Sequence, residues 1–377
     1  MKKILVIFGT RPEAIKMAPV ISALRAADTF NIQVAVTGQH REMLDQVLDV
    51  FHIKVDHDLS VMGKWQTLAE LTAMVLTGVS NVLIAWQPDL VLVHGDTLTS
   101  LAAAMACFYQ RITVGHVEAG LRTYTITSPW PEEFNRRVVG LVSGLHFAPT
   151  AQARQNLLNE AIPDEAIYLT GNTVIDALVN ISAQIDQDNC LRDALNKKFA
   201  FLSPHKRIVL VTAHRRENFG VGINAICDSL RHLALRDDLD IVYPVHLNPN
   251  VKDSVERSLS GYENIFLLEP QDYISFVYLM KNCYLVLTDS GGIQEEAPAL
   301  GKPVLVMRDS TERPEAIMAG TAKLVGANAE NIYQHVTLLL DDETSYQQMV
   351  NSKNPYGDGT AAQKIVMAIR QYFTGTM

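Results

Sequence analysis

Short apolar runs alternate with helix-period segments from the start of the chain to about residue 150, and again from about residue 207. Ile4–Phe8 is an unbroken apolar run, which predicts a strand buried on both faces. Gly9-Thr10-Arg11-Pro12-Glu13 follows as a turn, where Thr10 is a capping type and Pro12 suits the first turn of a helix. The pattern then predicts a helix to about Ala27, a strand at Ile32–Thr37, a helix from Arg41 to Phe51 and a long helical region from Gln66 to Trp86. Strands at Leu90–His94, Ile112–Val117 and Leu145–Ala148 alternate with helices at Leu98–Gln110 and Glu133–Val142. Strict alternation with near-continuous apolar strands means α/β structure: a parallel sheet covered by helices on both faces.

Residues 171–206 break this rhythm. Asn172 to Ile185 reads as helical, and Asp186 to Pro204 as a polar connection between domains. The second half then repeats the first in outline. Arg207–Thr212 ends in Ala213-His214-Arg215-Arg216-Glu217, parallel to the turn after Phe8; Leu285–Asp289 parallels Leu90–Asp96, and Pro303–Met307 parallels Thr113–Val117. The expected organisation is therefore a first domain over 1–170 and a second over 171–359. The last helix, about Thr360–Phe373 within 360–377, is expected to return to the first.

Within the second half, Leu285 to Glu296 reads as strand, tight turn and helix, with Ile293, Ala297 and Leu300 on one helical face. Asp289 and Ser290 are capping types, and Gly291 and Gly292 let backbone N–H groups face an anion. The plain alternative is a glycine turn before a helix with dipole-favoured acids. Ligands of open parallel sheets bind beyond the C-terminal strand ends. Both halves carry glycine, hydroxyl and charged residues there, so two Rossmann-like domains facing across a cleft are expected.

Composition narrows the function. The chain has 377 residues, too many for one ordinary core, with 48% hydrophobic and 19% charged residues and no signature of disorder. A formal net charge of −9 argues against nucleic acid and against an anionic lipid surface as partner. Cys107, Cys190, Cys227 and Cys283 are far apart with no C-x-x-C, so neither a zinc site nor a disulfide framework is indicated. With a first apolar run too short for a signal peptide, and no long uninterrupted apolar window, a cytoplasmic location and no membrane span are expected.

No G-x-G-x-x-G follows the first strand and no P-loop occurs, so a dinucleotide or P-loop reading lacks its fingerprint. Asp238-Leu239-Asp240 is best read as a solvated loop. What remains is charge at strand ends. The cations Arg11, Lys16, His214, Arg215 and Arg216 suit a diphosphate, although arginines paired with Glu13 and Glu217 would look the same. The carboxylates Asp96 and Glu118 each follow an apolar strand, and Glu132 opens a helix after Pro129-Trp130-Pro131. Asp96 alone could be a cap; Glu118 precedes no clear helix, and the pair reads as acid and base. His94 and His116, inside apolar strands, read as core histidines.

The long motifs 8–16, 94–97, 116–123, 128–133, 212–218, 244–249, 289–296, 311–315 and 354–359, spanning nearly the whole chain in order, resemble the bacterial non-hydrolysing UDP-N-acetylglucosamine 2-epimerases. The resemblance implies GT-B architecture, no cofactor and no metal. It implies reversible conversion of UDP-N-acetylglucosamine to UDP-N-acetylmannosamine, supplying surface or capsular polysaccharide synthesis. The C2 proton is not next to a carbonyl, so the expected path is elimination of UDP to a 2-acetamidoglucal, then re-addition with protonation on the other face.

Carried over by motif, Asp96, Glu118 and Glu132 are acid/base candidates, with none yet assigned to the C2 proton. His214 joins them by steadying the leaving diphosphate with Arg11, Lys16 and Arg215. Ser290, Gly291 and Gly292 would complete that grip and Glu296 would accept from the ribose. Phe276, beside Gln271, would stack on uracil, and Arg313 would help hold the nucleotide. Gln39, His40, Glu42, Gln66 and His246 match a second site where UDP-N-acetylglucosamine acts as activator, and a homodimer is implied. One departure stands out: after Arg122-Thr123 the family commonly carries Asp or Asn, and this chain has Tyr124. The competing readings are a hydrolysing epimerase, a GT-B glycosyltransferase and a non-catalytic sugar-nucleotide sensor.

Overall fold

The computed structural model describes residues 1–38, 41–61 and 67–375, the side chains of 41–43 apart. The chain forms two compact units, one of Met1–Ala177 with Tyr356–Met377 and one of Leu178–Pro355.

The first unit is built on a parallel sheet of β1 (Lys2–Phe8), β2 (Phe30–Val36), β3 (His57–Asp58), β4 (Leu90–His94), β5 (Thr113–Val117), β6 (Leu145–Ala148) and β7 (Ile167–Leu169), in the order β3-β2-β1-β4-β5-β6-β7. Ile4 pairs with Ile32 on one side and Leu90 on the other, so β1 is central and the strand order reverses between β1 and β4. Ile4–Phe8 and all five residues of β4 are buried, and all but His94 are apolar. Each such apolar side chain stabilises the fold by roughly 1.5–3 kcal/mol. Two elements escape the apolar pattern: β3 has two residues and β7 three, too short to register as periodic runs.

Helix Leu68–Trp86 is, by length and composition alone, apolar enough to cross a membrane. Here Val75, Val79, Val82 and Leu83 join the core with Leu101–Ala104 of the helix Leu98–Tyr109. Its other side leaves Leu68, Met74 and Ile84 exposed. The last helix, Ala361–Thr374, packs on this unit: Tyr372 Oη lies 2.9 Å from Thr113 Oγ1, and Lys2 Nζ sits over the Phe373 ring.

The second unit repeats the plan with β8 (Arg207–Thr212), β9 (Leu239–Pro244), β10 (Ile265–Leu268), β11 (Leu285–Thr288), β12 (Val304–Val306) and β13 (Ala322–Leu324), in the order β10-β9-β8-β11-β12-β13. All pairings are parallel, and β8 and β11 flank the reversal as β1 and β4 do in the first unit. The polar connection expected from Asp186 to Pro204 contains a helix, Asn189–Lys198, capped by Asp188. Its apolar stripe is thin because Leu195 is its one fully buried side chain. The solvated loop expected at Asp238–Asp240 is also corrected. Asp240 is buried on β9, accepts from the Ser203 N–H at 2.9 Å and pairs with Lys206.

Candidate active site

The turn after β1 is shaped by contacts that admit only glycine at position 9. A Cβ on Gly9 would lie 2.1 Å from Thr37 Oγ1 and 2.4 Å from Thr99 Oγ1. Thr10 caps the helix Arg11–Ala26, and Glu13 completes the capping box by accepting from the Thr10 N–H at 2.8 Å. The same buried carboxylate accepts from Thr97 Oγ1 at 2.6 Å, which joins the β1 and β4 turns. Burial raises its pKa against these hydrogen bonds. Arg11, half-buried, is the first residue of that helix.

Lys16, one turn further along, forms an ion pair with Glu118 Oε2. Asn172 Nδ2 donates to the same oxygen at 2.9 Å, and His94 Nε2 stands 3.7 Å from it. Glu118 directly follows β5 with φ 61°, a left-handed conformation uncommon for any residue but glycine, asparagine or aspartate. The chain turns sharply there because Gly120, at φ 91°, packs against Ala153, where a Cβ would come 2.2 Å from the carbonyl oxygen. His94 is buried and its pKa is pushed down to about 4, so it is a neutral neighbour at pH 7. The core reading of His94 and His116 therefore holds for burial, and His94 additionally borders the site.

Asp96 is not the cap of the following helix; Thr97 is, accepting from the Ser100 N–H. Asp96 Oδ2 instead accepts from Arg136 at 2.5 Å, while Asn135 Nδ2 donates to its backbone carbonyl. Burial raises the pKa of Asp96; Arg136 opposes this, and the charges of Glu118 and Glu132 add to the rise. The three candidate carboxylates are thus close enough to share one electrostatic environment. Glu132 opens the helix Glu132–Val142, and the next residue anchors the preceding loop: Glu133 accepts the N–H groups of Thr123 and Tyr124 at 3.0 and 3.1 Å. Tyr124 has φ 60°, the conformation that asparagine and aspartate tolerate best, and its hydroxyl donates to Asn156 Oδ1 at 2.9 Å. That gives the departure at this position a physical content.

In the second unit, Asp289 is fully buried and gathers donors: the N–H groups of His214 and Arg215, each at 2.9 Å, and Asn218 Nδ2 at 3.0 Å. His214 Nδ1 lies 3.2 Å from its other oxygen. Burial alone would raise its pKa, but these hydrogen bonds outweigh it and the net shift is downward. The capping role expected of Asp289 is therefore corrected: it shapes the β8 turn, and Gly292 is the N-cap of the helix Ile293–Ala299. His214 faces His246 at a ring separation of 5.7 Å. Gly291 lies under Arg215, whose Nη2 would be 3.5 Å from a Cβ there.

The Ser290 N–H donates to Thr288 Oγ1 at 2.9 Å, and Gln294 ties the turn to Thr311. Arg313 pairs with buried Glu295. Glu296 lies 3.5 Å from Tyr273 Oη; Phe276, on the same helix as Tyr273, is half-buried, and Gln271 donates to the Glu269 carbonyl. Of the residues matched to an activator site, His246 accepts from the Asn248 N–H through Nδ1. Gln39, His40, Gln66 and the side chain of Glu42 lie outside the described residues.

Arg136 and Asn172 were not singled out by the sequence. Arg136 stands within the helix expected over Glu133–Val142, and Asn172 at the start of the helix expected to Ile185, with nothing in the local pattern to mark either. Tyr273 was not singled out either; in the structure it is the first helical residue after the N-cap Asp272.

Two doubly wound parallel sheets, with acids at one strand-end edge and a glycine turn with cations at the other, define an α/β enzyme of nucleotide-sugar type. The sequence profile of the UDP-N-acetylglucosamine 2-epimerases matches residues 22–370, and the chain belongs to that family. It is 56% identical to the UDP-N-acetylglucosamine 2-epimerase of Yersinia pestis, over 98% of this chain and 99% of that protein. It is 54% identical to the Escherichia coli K12 enzyme of the same name, over 98% of each. The crystal structure of the Neisseria meningitidis UDP-GlcNAc 2-epimerase bound to UDP-GlcNAc superposes with a TM-score of 0.91 at 50% identity, covering 98% of this chain and 100% of that one.

Proposed function

We propose that this protein epimerises UDP-N-acetylglucosamine at C2, reversibly and without hydrolysis. The observation that carries the reading is the pair of carboxylates at adjacent strand ends, Asp96 after β4 and Glu118 after β5, with the charge of one raising the pKa of the other. Breaking the C1–O bond releases UDP and leaves positive character at C1. The C2 proton then becomes acidic and passes to a carboxylate, giving 2-acetamidoglucal. UDP adds back at C1 as a proton arrives at C2 on the opposite face. Glu118, ion-paired with Lys16, is the proton acceptor in this scheme, and Asp96, whose pKa burial raises, is the donor. Glu132 is the third acid of the set.

The nucleotide is assigned to the second unit: His214 and Arg215 on the diphosphate, Gly291 and Gly292 offering N–H groups, Glu296 on the ribose and Phe276 on uracil. Arg11 and Lys16, at the strand-end edge of the first unit, are the further cations proposed to meet the substrate's negative charge. Arg313, paired with Glu295, is proposed to help hold the nucleotide.

Gln39, His40, Glu42, Gln66 and His246 are proposed to receive a second UDP-N-acetylglucosamine as activator; within the second unit His246 stacks on His214, a proposed diphosphate contact. A homodimer fits the exposed apolar side chains of two helices that pack together, Met74 and Ile84 on Leu68–Trp86 and Phe108 and Tyr109 on Leu98–Tyr109. A cytoplasmic location fits three buried, unpaired thiols.

The test is to incubate the protein with UDP-N-acetylglucosamine in heavy water and follow it by NMR. UDP-N-acetylmannosamine with deuterium at C2 is expected. Free N-acetylmannosamine would replace this reading with the hydrolysing reaction, and absence of turnover would overturn both.

A further inference from the structure

The segment that leads out of the first unit and the segment that returns to it run side by side. The Asn172 N–H donates to the Tyr356 carbonyl at 2.7 Å, and Asp176 accepts the N–H groups of Ala362 at 2.8 Å and Ala361 at 3.2 Å. Gly171, at φ 91°, lets them approach; a Cβ there would lie 3.2 Å from the Tyr356 oxygen. Asn172 is buried, and both ends of its amide are engaged. Oδ1 accepts from the Val174 N–H at 3.1 Å, which fixes the amide so that Nδ2 faces Glu118 Oε2 at 2.9 Å.

We propose that Asn172 is a positioning residue for proton transfer, aligning the Glu118 carboxylate and tying it to the clasp formed by the outgoing and returning segments. This rests on the reading of Glu118 as proton acceptor. A donor to the charged form favours the carboxylate, and it holds the carboxylate in one orientation on a left-handed residue. Among the described residues, the other charged or titratable groups recorded against Glu118 are Lys16 from the helix Arg11–Ala26, His94 from β4 and Asp96 from the β4 turn. Asn172 joins Glu118 to the clasp through its own backbone N–H on Tyr356.

Asn172→Asp separates the two roles of the side chain. It keeps the acceptor that Val174 needs, removes the donor to Glu118 and adds a like charge. The experiment measures kcat, KM and deuterium exchange at C2 as a function of pH for the wild type, Asn172→Asp, Asn172→Ala and Glu118→Gln, with UDP affinity and Tm for each. A fall in kcat of about ten- to a hundred-fold is expected for Asn172→Asp, with KM and UDP affinity unchanged. The acidic limb of its kcat profile should move to higher pH. A wild-type kcat and limb in Asn172→Asp would overturn the proposal and leave Asn172 as a helix-start residue, whatever the Tm of Asn172→Ala. If the aspartate variant does not fold, Asn172→Ser decides by the same limb, since its hydroxyl can serve Val174 but is too short for Glu118. Full exchange in Glu118→Gln would remove Glu118 itself and the inference with it. An inactive Glu118→Gln beside a wild-type-like Asn172→Asp would remove only the inference.

Discussion

Asp96 and Asp289 stand at corresponding places in the two units, each just past the strand that neighbours the first strand of its sheet. Their environments push them in opposite directions. Asp289 is fully buried but saturated by N–H donors from the β8 turn, so it stays ionised and its pKa falls. Asp96 is pushed up first by burial and then by the charges of Glu118 and Glu132, against one arginine, so its pKa rises. The same residue type at the same topological position is held as a structural anion in one unit and is the proposed proton carrier in the other. Position in the fold makes a site available; the local count of donors and charges decides what the site does.

The widest separation between the two is expected in catalysis. Asp96→Asn keeps the size of the side chain and removes its proton chemistry, so kcat should fall by about 10²–10⁴ while UDP binding persists in calorimetry. Stability should not suffer. A raised folded-state pKa means that ionisation opposes folding, so the variant should gain on the wild type as pH climbs above the ordinary carboxylate range. A variant with normal turnover would end the distinction between the two aspartates.

Asp289→Asn should do the reverse. It presents an amide to donors that need an acceptor, and unfolding in urea at pH 7 should show a loss of about 2–4 kcal/mol. The sign with pH follows from a lowered folded-state pKa: the stability is present above the unfolded value near ~4 and disappears as pH falls through the folded value. The gap between wild type and variant should therefore close below about pH 4, and a pH-independent gap would count against the account.

The smallest effect concerns the turn that carries Asp96. Gly95 has φ 62°, and a Cβ there would meet Glu118 Oε1 at an uncrowded 3.6 Å. Gly95→Ala should cost about 1–2 kcal/mol of stability from backbone strain alone, read as a lower Tm. No change in Tm would mean that the turn relaxes at no cost.

Much of this was legible beforehand where local rules dominate. The apolar runs located β1, β4, β5, β8 and β11, and Thr10, read as a capping type, caps the first helix in the structure. The two-residue β3 and the helix after Asp188 were not legible, because one is shorter than a period and the other buries a single leucine. Asp240 was misread because a buried acid on a strand has the same sequence as an acid in a charged loop.

The sequence alone determined two doubly wound sheets and which residue types stand at their strand ends, since burial of apolar runs and helix capping act within a few residues. It also held the motifs that place the chain among the UDP-N-acetylglucosamine 2-epimerases. Only the tertiary structure decided which acids share an environment and which are neutralised. Arg136 reaches Asp96 across 40 residues, and Asn172 reaches Glu118 across 54. A pKa is set by every donor, charge and water molecule within a few ångströms, and the chain brings those neighbours together only when it folds.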